Sequence, residues 1–192
     1  MVILVLNCGS SSIKYQVIDM EAASSKVLAK GIVERIGLAE GDLVHKPVGK
    51  ERFELRQPIP DHTTGIRLVL DALTDPAHGV IRSLDEVKAV GHRVAHGGEF
   101  FPESCLVTEE VKEKIRSLFE IAPLHNPANL EGVLSIEKVL PGVPQVTVFD
   151  TSFHQTIPAV NYMYALPHAY YDKYRVRKYG FHGTSHRYVA RV

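Results

Sequence analysis

The sequence has little of several things that would point to particular classes of protein: it has two cysteines, no tryptophan and no net charge. Cys8 and Cys105 are too few for a disulfide framework and lack the spacing of a zinc motif, which favours a reducing compartment. Lys plus Arg and Asp plus Glu both number 22, so no overall field attracts nucleic acid or a membrane surface. No apolar run reaches membrane-spanning length, and the N-terminal one lacks the basic leader of a signal peptide. We therefore expect a cytoplasmic protein with neither a nucleic-acid nor a membrane partner.

The N-terminal segment has the pattern of a strand, a polar turn and a second strand. The apolar run at residues 2–6 ends at the turn 7–12, and a β-rich stretch follows over residues 13–19. Backbone N–H groups, three hydroxyls and the ammonium of Lys14 would surround one point at such a turn, which predicts an anion site that suits phosphate best. The turn is not a Walker A loop, because Gly-Lys-Ser/Thr is missing and a strand follows in place of a helix. The alternative of an ordinary β-hairpin with a polar tip stays open at this point.

Sequence periodicity beyond this segment predicts an α/β domain. Residues 27–36 and 43–56 continue the β-rich opening and are broken by glycine and proline. Asp61 and Thr108 are good N-caps for two amphipathic helices, and Asn126 is the predicted cap of a third that begins with proline. Two further apolar strands alternate with these helices, at residues 87–94 and 146–149. Strands followed by alternating helices and strands predict a mixed β-sheet flanked by helices.

Three of the predicted strands end in a residue that could carry chemistry: Asn7, Arg93 and Asp150. Ligands of open α/β sheets bind at the carboxyl ends of the strands, so an amide, a guanidinium and a carboxylate are predicted to meet at one edge. Arg93 suits bidentate capture of a carboxylate or phosphate, and Asp150 suits Mg²⁺ or the role of a general base. The alternatives are an Arg93 that pairs with a neighbouring carboxylate and an Asp150 that caps its loop.

The ten histidines invite a metal interpretation, which their surroundings disfavour. Two pairs have the i, i+4 spacing of a zinc site: His92 with His96, and His182 with His186. Glycine interrupts both segments, and neither has the glutamate of a zinc peptidase motif. His182, in a loop, and His125, ahead of a helix N-terminus, are better placed to donate to an anionic group. The histidines expected at the surface are His45, His62, His78 and His168.

Five motifs, in order along almost the whole chain, resemble those of the acetate kinases: Asn-Cys-Gly-Ser-Ser-Ser-Ile-Lys at 7–14, Gly-His-Arg-Val-Ala-His-Gly-Gly at 91–98, Ala-Pro-Leu-His-Asn-Pro-Ala-Asn at 122–129, Val-Phe-Asp-Thr-Ser-Phe-His at 148–154 and Tyr-Gly-Phe-His-Gly-Thr-Ser-His at 179–186. Five motifs in register are far more specific than any one of them. The resemblance implies a two-domain actin-like fold with a ribonuclease H-like core in each half. It also implies a reversible reaction in which ATP and acetate give acetyl phosphate and ADP, with Mg²⁺.

The resemblance implies roles for the residues at the phosphate side. Asn7 lies in the site for magnesium and phosphate, and Asp150 is the family's active-site acidic residue. The residues that line the phosphates of ATP are Ser10, Ser12 and Lys14. Because acetate is already ionised at neutral pH, its attack needs no proton removal. We therefore favour Asp150 as an organiser of magnesium over Asp150 as a base.

On the acceptor side, the resemblance implies that Arg93 holds the substrate carboxylate. His125 and His182 contact the transferring phosphoryl group, with His182 as the stabiliser of the transition state. The family's pattern Gly-His-Arg-Val-Val-His-Gly-Gly has alanine here in place of its second valine. The pocket for the acetate methyl is expected to be lined by Ala95, Leu124 and Phe181. The loss of two methyl groups at position 95 would make room for propionate.

The length of the sequence is its second departure from the family pattern, because the resemblance implies a further, C-terminal domain. In the family this second half supplies adenosine-binding loops, a second catalytic arginine and a magnesium glutamate. Since an apparent helix also runs into the last residues, we expect residues 1–192 to be the N-terminal domain of a homodimeric kinase, truncated at the start of the nucleotide-binding domain and inactive alone. The alternatives are a propionate kinase and, from another class, a non-catalytic actin-like module that binds phosphate or a partner.

Overall fold

The computed structural model describes residues 1–21 and 24–192, and its centre is one eight-stranded sheet. The strands are β1 (Val2–Cys8), β2 (Ser12–Asp19), β3 (Lys26–Glu34), β4 (Gly41–Pro47), β5 (Phe53–Gln57), β6 (Val87–Val94), β7 (Cys105–Leu106) and β8 (Gln145–Phe149). In β1 every second side chain is buried, as an alternating pattern with one face on the core requires. The predicted strand–turn–strand opening is therefore confirmed, as are the two later strands.

The helices are α1 (His62–Thr74), α2 (Glu109–Ser117), α3 (Asn126–Val139), α4 (Ala159–Tyr162), α5 (Ala169–Tyr174) and α6 (Gly183–Val189). Asp61 caps α1 by accepting a hydrogen bond from the backbone N–H of Thr64 at 2.7 Å. Thr108 caps α2 in the same way. The predicted cap of α3 is wrong by one residue, since His125 holds the cap position and Asn126 is already helical. The Asn126 side chain does not cap the helix, because it bonds to the backbone of His96, just after the end of β6.

The order of strands in the sheet is β5-β4-β3-β2-β1-β6-β8-β7. From β5 to β1 all neighbours are antiparallel, whereas β1, β6 and β8 are parallel to one another. The carboxyl ends of these three parallel strands therefore lie at the same edge of the sheet. Helices flank this mixed sheet, which confirms the predicted fold class.

The hydrophobic core lies between the sheet and the pair α1 and α3. Its main cluster joins strand residues such as Leu4 and Leu6 to helix residues such as Ile66, Val69 and Ile136. A second cluster lies under α2 and is built around Phe149, whose ring stacks on that of Phe101 with 4.1 Å between the ring centroids. The other buried residues of this cluster are Val94, Val111, Ile115, Leu130 and Val133. Both clusters pack α3 firmly against β1 and β6.

Two histidines predicted at the surface are buried. His45 Nε2 donates to the carbonyl of His78, so in the neutral ring Nδ1 accepts from the Tyr15 hydroxyl at 2.6 Å. His62 Nε2 donates to the carbonyl of Gly9 at 2.7 Å, under the polar turn. In each case the partner comes from a distant segment, which a local sequence pattern does not reveal.

Short elements account for the remaining differences between prediction and structure. The two-residue strand β7 and the short helices α4 and α5 have no periodic signal long enough to read. The last helix ends at Val189 with Ala190 as its cap, so it does not run to the final residue. Across residues 1–21 and 24–192, no helix combines the length and apolar character needed to cross a membrane.

Candidate active site

Arg93 is the centre of the polar cluster at the sheet edge. Its Nε lies 3.2 Å from both carboxylate oxygens of Asp150, and its Nη2 donates to Asp150 Oδ2 at 2.6 Å. Its Nη1 donates to the side-chain oxygen of Asn7 at 3.1 Å. The structure therefore brings together the ends of β1, β6 and β8, as the strand-end argument predicted. Asp150 is only 2% exposed, while the Arg93 side chain is 38% exposed.

The pairing with Asp150 does not use up the guanidinium. An arginine carries five N–H groups, and Asp150 and Asn7 accept from three of them. One N–H remains on each terminal nitrogen, which is the number that a bidentate carboxylate needs. The two interpretations of Arg93, a paired arginine and an anion-binding one, are thus compatible. Asp150 holds the guanidinium in place, and its outer N–H groups remain available to a ligand.

The polar turn after β1 is closed by its own backbone. Gly9 N–H donates to the carbonyl of Ser12 at 2.8 Å, and the Gly9 carbonyl accepts from His62. Ser10 and Lys14 are exposed and Ser12 is half-buried. Within residues 1–21 and 24–192, none of the serine hydroxyls of this turn makes a hydrogen bond, so they remain available to an anion.

Two asparagines in the first turn of α3 reach the strand ends, and the sequence interpretation missed both. Asn126 accepts from the backbone N–H of His96 at 3.1 Å and donates to the carbonyl of the same residue at 2.9 Å. Asn129 accepts from the N–H of Ala95 at 2.9 Å and donates to the carbonyl of Cys8 at 2.6 Å. Their spacing could have indicated a shared role, because residues three apart on a helix lie on the same face.

The segment that carries His182 is tied directly to Asp150. The backbone N–H of Gly183 donates to the carbonyl of Asp150 at 2.9 Å. His182 itself is exposed and has a φ of +54°, a left-handed conformation that turns the chain into α6. The aromatic rings of Tyr179 and Phe181 pack in T-shaped arrangements with the ring of His96, at centroid distances of 4.5 and 5.5 Å. These contacts hold the segment on either side of His182 against the residues that follow β6 and β8.

The residues expected around the acetate methyl differ widely in exposure. Ala95 is buried, whereas Phe181 is 44% exposed and Leu124 is 77% exposed. His125, at the start of α3, is also exposed. The side chains that would close over a small substrate therefore face solvent in this half of the site.

The oxygen atoms of the cluster fit a hard cation better than zinc. Mg²⁺ takes one or two carboxylates, retains waters and shares phosphate oxygens, and the cluster offers the Asp150 carboxylate and the Asn7 amide oxygen. In the part of the chain that the structure describes, no three His, Cys, Asp or Glu side chains converge to form a metal cluster. His92 instead donates from Nε2 to Gln145 at 2.7 Å, and His96 Nδ1 accepts from the N–H of Gly98 at 2.9 Å.

Burial lowers the pKa of His92 and of His96 from 6.5 to about 4. Both rings are therefore neutral in the folded protein at neutral pH, while in the unfolded chain they become charged as the pH falls below 6.5. The unfolded state then binds more protons, so acid favours unfolding. The stability that these rings supply is complete above pH 6.5 and declines as the pH falls towards 4.

We expect each of these two histidines to lower the free energy of unfolding by about 2 kcal/mol between pH 7 and pH 5. Urea unfolding at both pH values measures the loss. Replacing His96 with glutamine removes one titrating ring and reduces the pH dependence. The matched control is His168→Gln, which makes the same substitution at an exposed ring and removes no buried one. A wild-type protein equally stable at both pH values would contradict the assignment.

The eight-stranded mixed sheet flanked by helices defines the class of protein, which is a domain of the actin-like ATPase fold. The model of the Acetokinase family matches residues 2–192, and the chain belongs to that family. It is 55% identical to the acetate kinase of Desulfitobacterium hafniense over 190 residues, 99% of this chain and 47% of that protein.

Two solved structures extend the comparison. The crystal structure of Porphyromonas gingivalis acetate kinase superposes with a TM-score of 0.93 at 50% identity, over 98% of this chain and 47% of that one. That of a propionate kinase from Francisella tularensis has a TM-score of 0.90 at 39% identity, over 99% and 47%. The chain thus spans about half the length of the relatives it matches.

Proposed function

We propose that this chain is the N-terminal domain of an enzyme that transfers a phosphoryl group reversibly between ATP and acetate, giving acetyl phosphate and ADP. One observation carries the proposal: a guanidinium fixed by Asp150 and Asn7 keeps two N–H groups available beside a phosphate-type turn. A module that only binds a partner does not require a carboxylate-binding arginine at this edge. Together with family membership, this arrangement favours catalysis over a purely structural role.

Arg93 binds the carboxylate of acetate through its two outer N–H groups and aims one carboxylate oxygen at the γ-phosphate of ATP. Acetate is ionised at neutral pH, so no residue has to remove a proton. The side-chain oxygens of Asn7 and Asp150 would hold Mg²⁺, which neutralises charge on the phosphates when bound. Asp150 keeps the guanidinium in position at the same time.

Phosphoryl transfer passes through a loose transition state, so catalysis depends mainly on positioning and on neutralising charge. Lys14 and the hydroxyls of Ser10 and Ser12 contact the phosphates of ATP. His125 and His182 donate to the transferring group, and His182 stabilises the transition state. The backbone bond between Gly183 and the carbonyl of Asp150 supports this role, because it ties the segment that carries His182 to the end of β8.

The remaining half of the full-length enzyme is needed for the rest of the reaction. Because this chain spans about half of its relatives, we assign the binding of adenosine to the other half. The exposure of Leu124, His125 and Phe181 supports this division, since a second domain would close over them. We further propose a cytoplasmic homodimer that assembles through the other half.

Acyl phosphate trapped as the hydroxamate tests the proposed function. The 192-residue chain is incubated with ATP, Mg²⁺ and acetate, alone and together with a separately expressed second half. We expect turnover only with both halves, and expect Arg93→Lys to abolish it, because a single ammonium cannot replace the bidentate fork. A folded pair of halves that produces no hydroxamate from any short carboxylate would refute the proposal.

Propionate is the second candidate substrate, favoured by alanine at position 95 and by the likeness to a propionate kinase structure. One methylene in an apolar pocket is worth about 1–3 kcal/mol. The same assay with both acids gives their ratio of kcat/KM. If Ala95 admits the longer acid, Ala95→Val shifts this ratio towards acetate by about tenfold or more, and an unchanged ratio would exclude position 95 as the determinant.

A further inference from the structure

We propose that Asn129 is a positioning residue, whose side-chain amide sets the separation between the strand ends that carry Asn7 and Arg93. The proposal rests on the proposed function of Arg93 as the group that binds the substrate carboxylate. It concerns how the site is held in register, and it assigns a role to an asparagine that contacts no reacting atom.

The parallel ladder between β1 and β6 stops just before the site. Its last pair is Leu6 with His92. Beyond that pair, the register of the described strands pairs Asn7 and Cys8 with β2 and Arg93 with β8, and no longer pairs β1 with β6. The pairing of β1 with β6 therefore ends one residue before Asn7 and Arg93, whose side chains must meet, so other contacts have to fix their spacing.

The amide of Asn129 fills this gap. It accepts from the N–H of Ala95, two residues after Arg93, and donates to the carbonyl of Cys8, the residue after Asn7. A carboxamide has the same donor and acceptor as a peptide group, so it replaces the ladder bonds that the strands no longer make. The side chain is 3% exposed, which protects both bonds from exchange with water.

The helix that carries Asn129 is itself fixed against β1. A Cβ at Gly132 would lie 2.5 Å from Cys8 Sγ, so the backbone of α3 approaches the strand as closely as glycine allows. Leu130, Val133 and Ile136 anchor the same helix in the core. The bridge is therefore rigid at its base, as a group that fixes geometry has to be.

Asn126 offers a matched control in the same turn of helix. It is equally buried and also makes two hydrogen bonds, but both go to His96, so it contacts only one strand end. Loss of either asparagine removes two buried hydrogen bonds. Only the loss of Asn129 removes hydrogen bonds that link the end of β1 to the residues after β6.

The first experiment compares Asn129→Ala with Asn126→Ala in the 192-residue chain, titrated with sodium acetate and followed by the Arg93 Nε–H and Asn7 side-chain signals in NMR spectra. We expect Asn129→Ala to shift both signals in the free protein and to weaken acetate binding about tenfold. Asn126→Ala leaves both signals in place and changes the dissociation constant less than twofold. Equal effects of the two variants would overturn the proposal.

The second experiment uses Asn129→Asp across pH 5.5 to 8. A protonated aspartic acid donates through its O–H and accepts through its C=O, so it preserves the bridge, whereas the ionised form loses the donor to Cys8. Burial raises the pKa of a carboxyl group at this position, because the charged form loses its hydration. We expect acetate binding to this variant to weaken as the pH rises, with no such profile in wild type or Asn129→Ala. A flat profile would overturn the proposal.

The two proposals fail in different ways. If the wild-type chain binds no acetate, the role of Arg93 in the proposed function is wrong. The Arg93 and Asn7 signals still report on the geometry of the free protein in that case. If Asn129→Ala leaves these signals unchanged, the positioning role is wrong whether or not acetate binds.

Discussion

Replacing Arg93 with alanine is expected to abolish carboxylate binding and to lower the free energy of unfolding by about 3 kcal/mol. The carboxylate of Asp150 is 2% exposed, and among the described residues it accepts its side-chain hydrogen bonds from this guanidinium alone. Removal of Arg93 leaves a buried charge without a partner, which is more costly than the loss of the pair itself. Urea unfolding and acetate titration of the same preparation measure both effects.

The double variant Arg93→Ala with Asp150→Ala separates the two effects. Removing both charges relieves the unpaired carboxylate, so most of the stability returns, whereas acetate binding does not. Arg56→Ala provides the control for the loss of an exposed arginine, because Arg56 pairs with Asp42 at the surface and should change stability little. A double variant no more stable than Arg93→Ala would show that Asp150 does not depend on Arg93.

Gly183→Ala is expected to displace His182 and to reduce turnover of the complete enzyme about a hundredfold. A Cβ at this position would lie 2.2 Å from the carbonyl oxygen of Asp150 and 2.8 Å from Cβ of Phe153. The first of these atoms is backbone and cannot rotate away, so the start of α6 has to shift and its hydrogen bond to Asp150 breaks. Kinetics show the change as a fall in kcat with little change in the KM for acetate.

Gly91→Ala is the matched control for this substitution. Gly91 lies on β6, and the nearest atom to its added Cβ would be 4.0 Å away, which is ordinary van der Waals contact. We expect its kcat to remain within about twofold of wild type, since no backbone shift is needed. If Gly183→Ala kept full kcat, the proposed placement of His182 by α6 would be wrong.

The large-scale architecture and the centre of the site could be predicted from local pattern. Apolar runs that stop abruptly marked the ends of β1, β6 and β8, and the rule that ligands bind at strand ends then brought Asn7, Arg93 and Asp150 together. The caps Asp61 and Thr108 were also predictable, because a cap bonds within its own first turn. Each of these inferences depends only on residues that are close together in the sequence.

The supporting groups could not be predicted, because their partners are remote. The Asn129 amide meets the Cys8 carbonyl across 121 residues, and His62 meets Gly9 across 53. His45 is buried only because Tyr15 and the backbone of His78 supply its two hydrogen bonds. A histidine or asparagine gives the same local signal whether it lies at the surface or in such a network.

The sequence separation across the site ties the binding of a ligand to the completion of folding. Arg93 meets Asn7 across 86 residues and Asp150 across 57, whereas β1 to β5 pair with their immediate neighbours along the chain. The antiparallel part can close through short loops, but the site exists only after three distant segments are aligned. A ligand held by Arg93 therefore selects molecules in which the parallel strands are already in register. The free energy of binding therefore adds to the free energy of unfolding of the whole domain, and partly folded chains are not stabilised by the ligand.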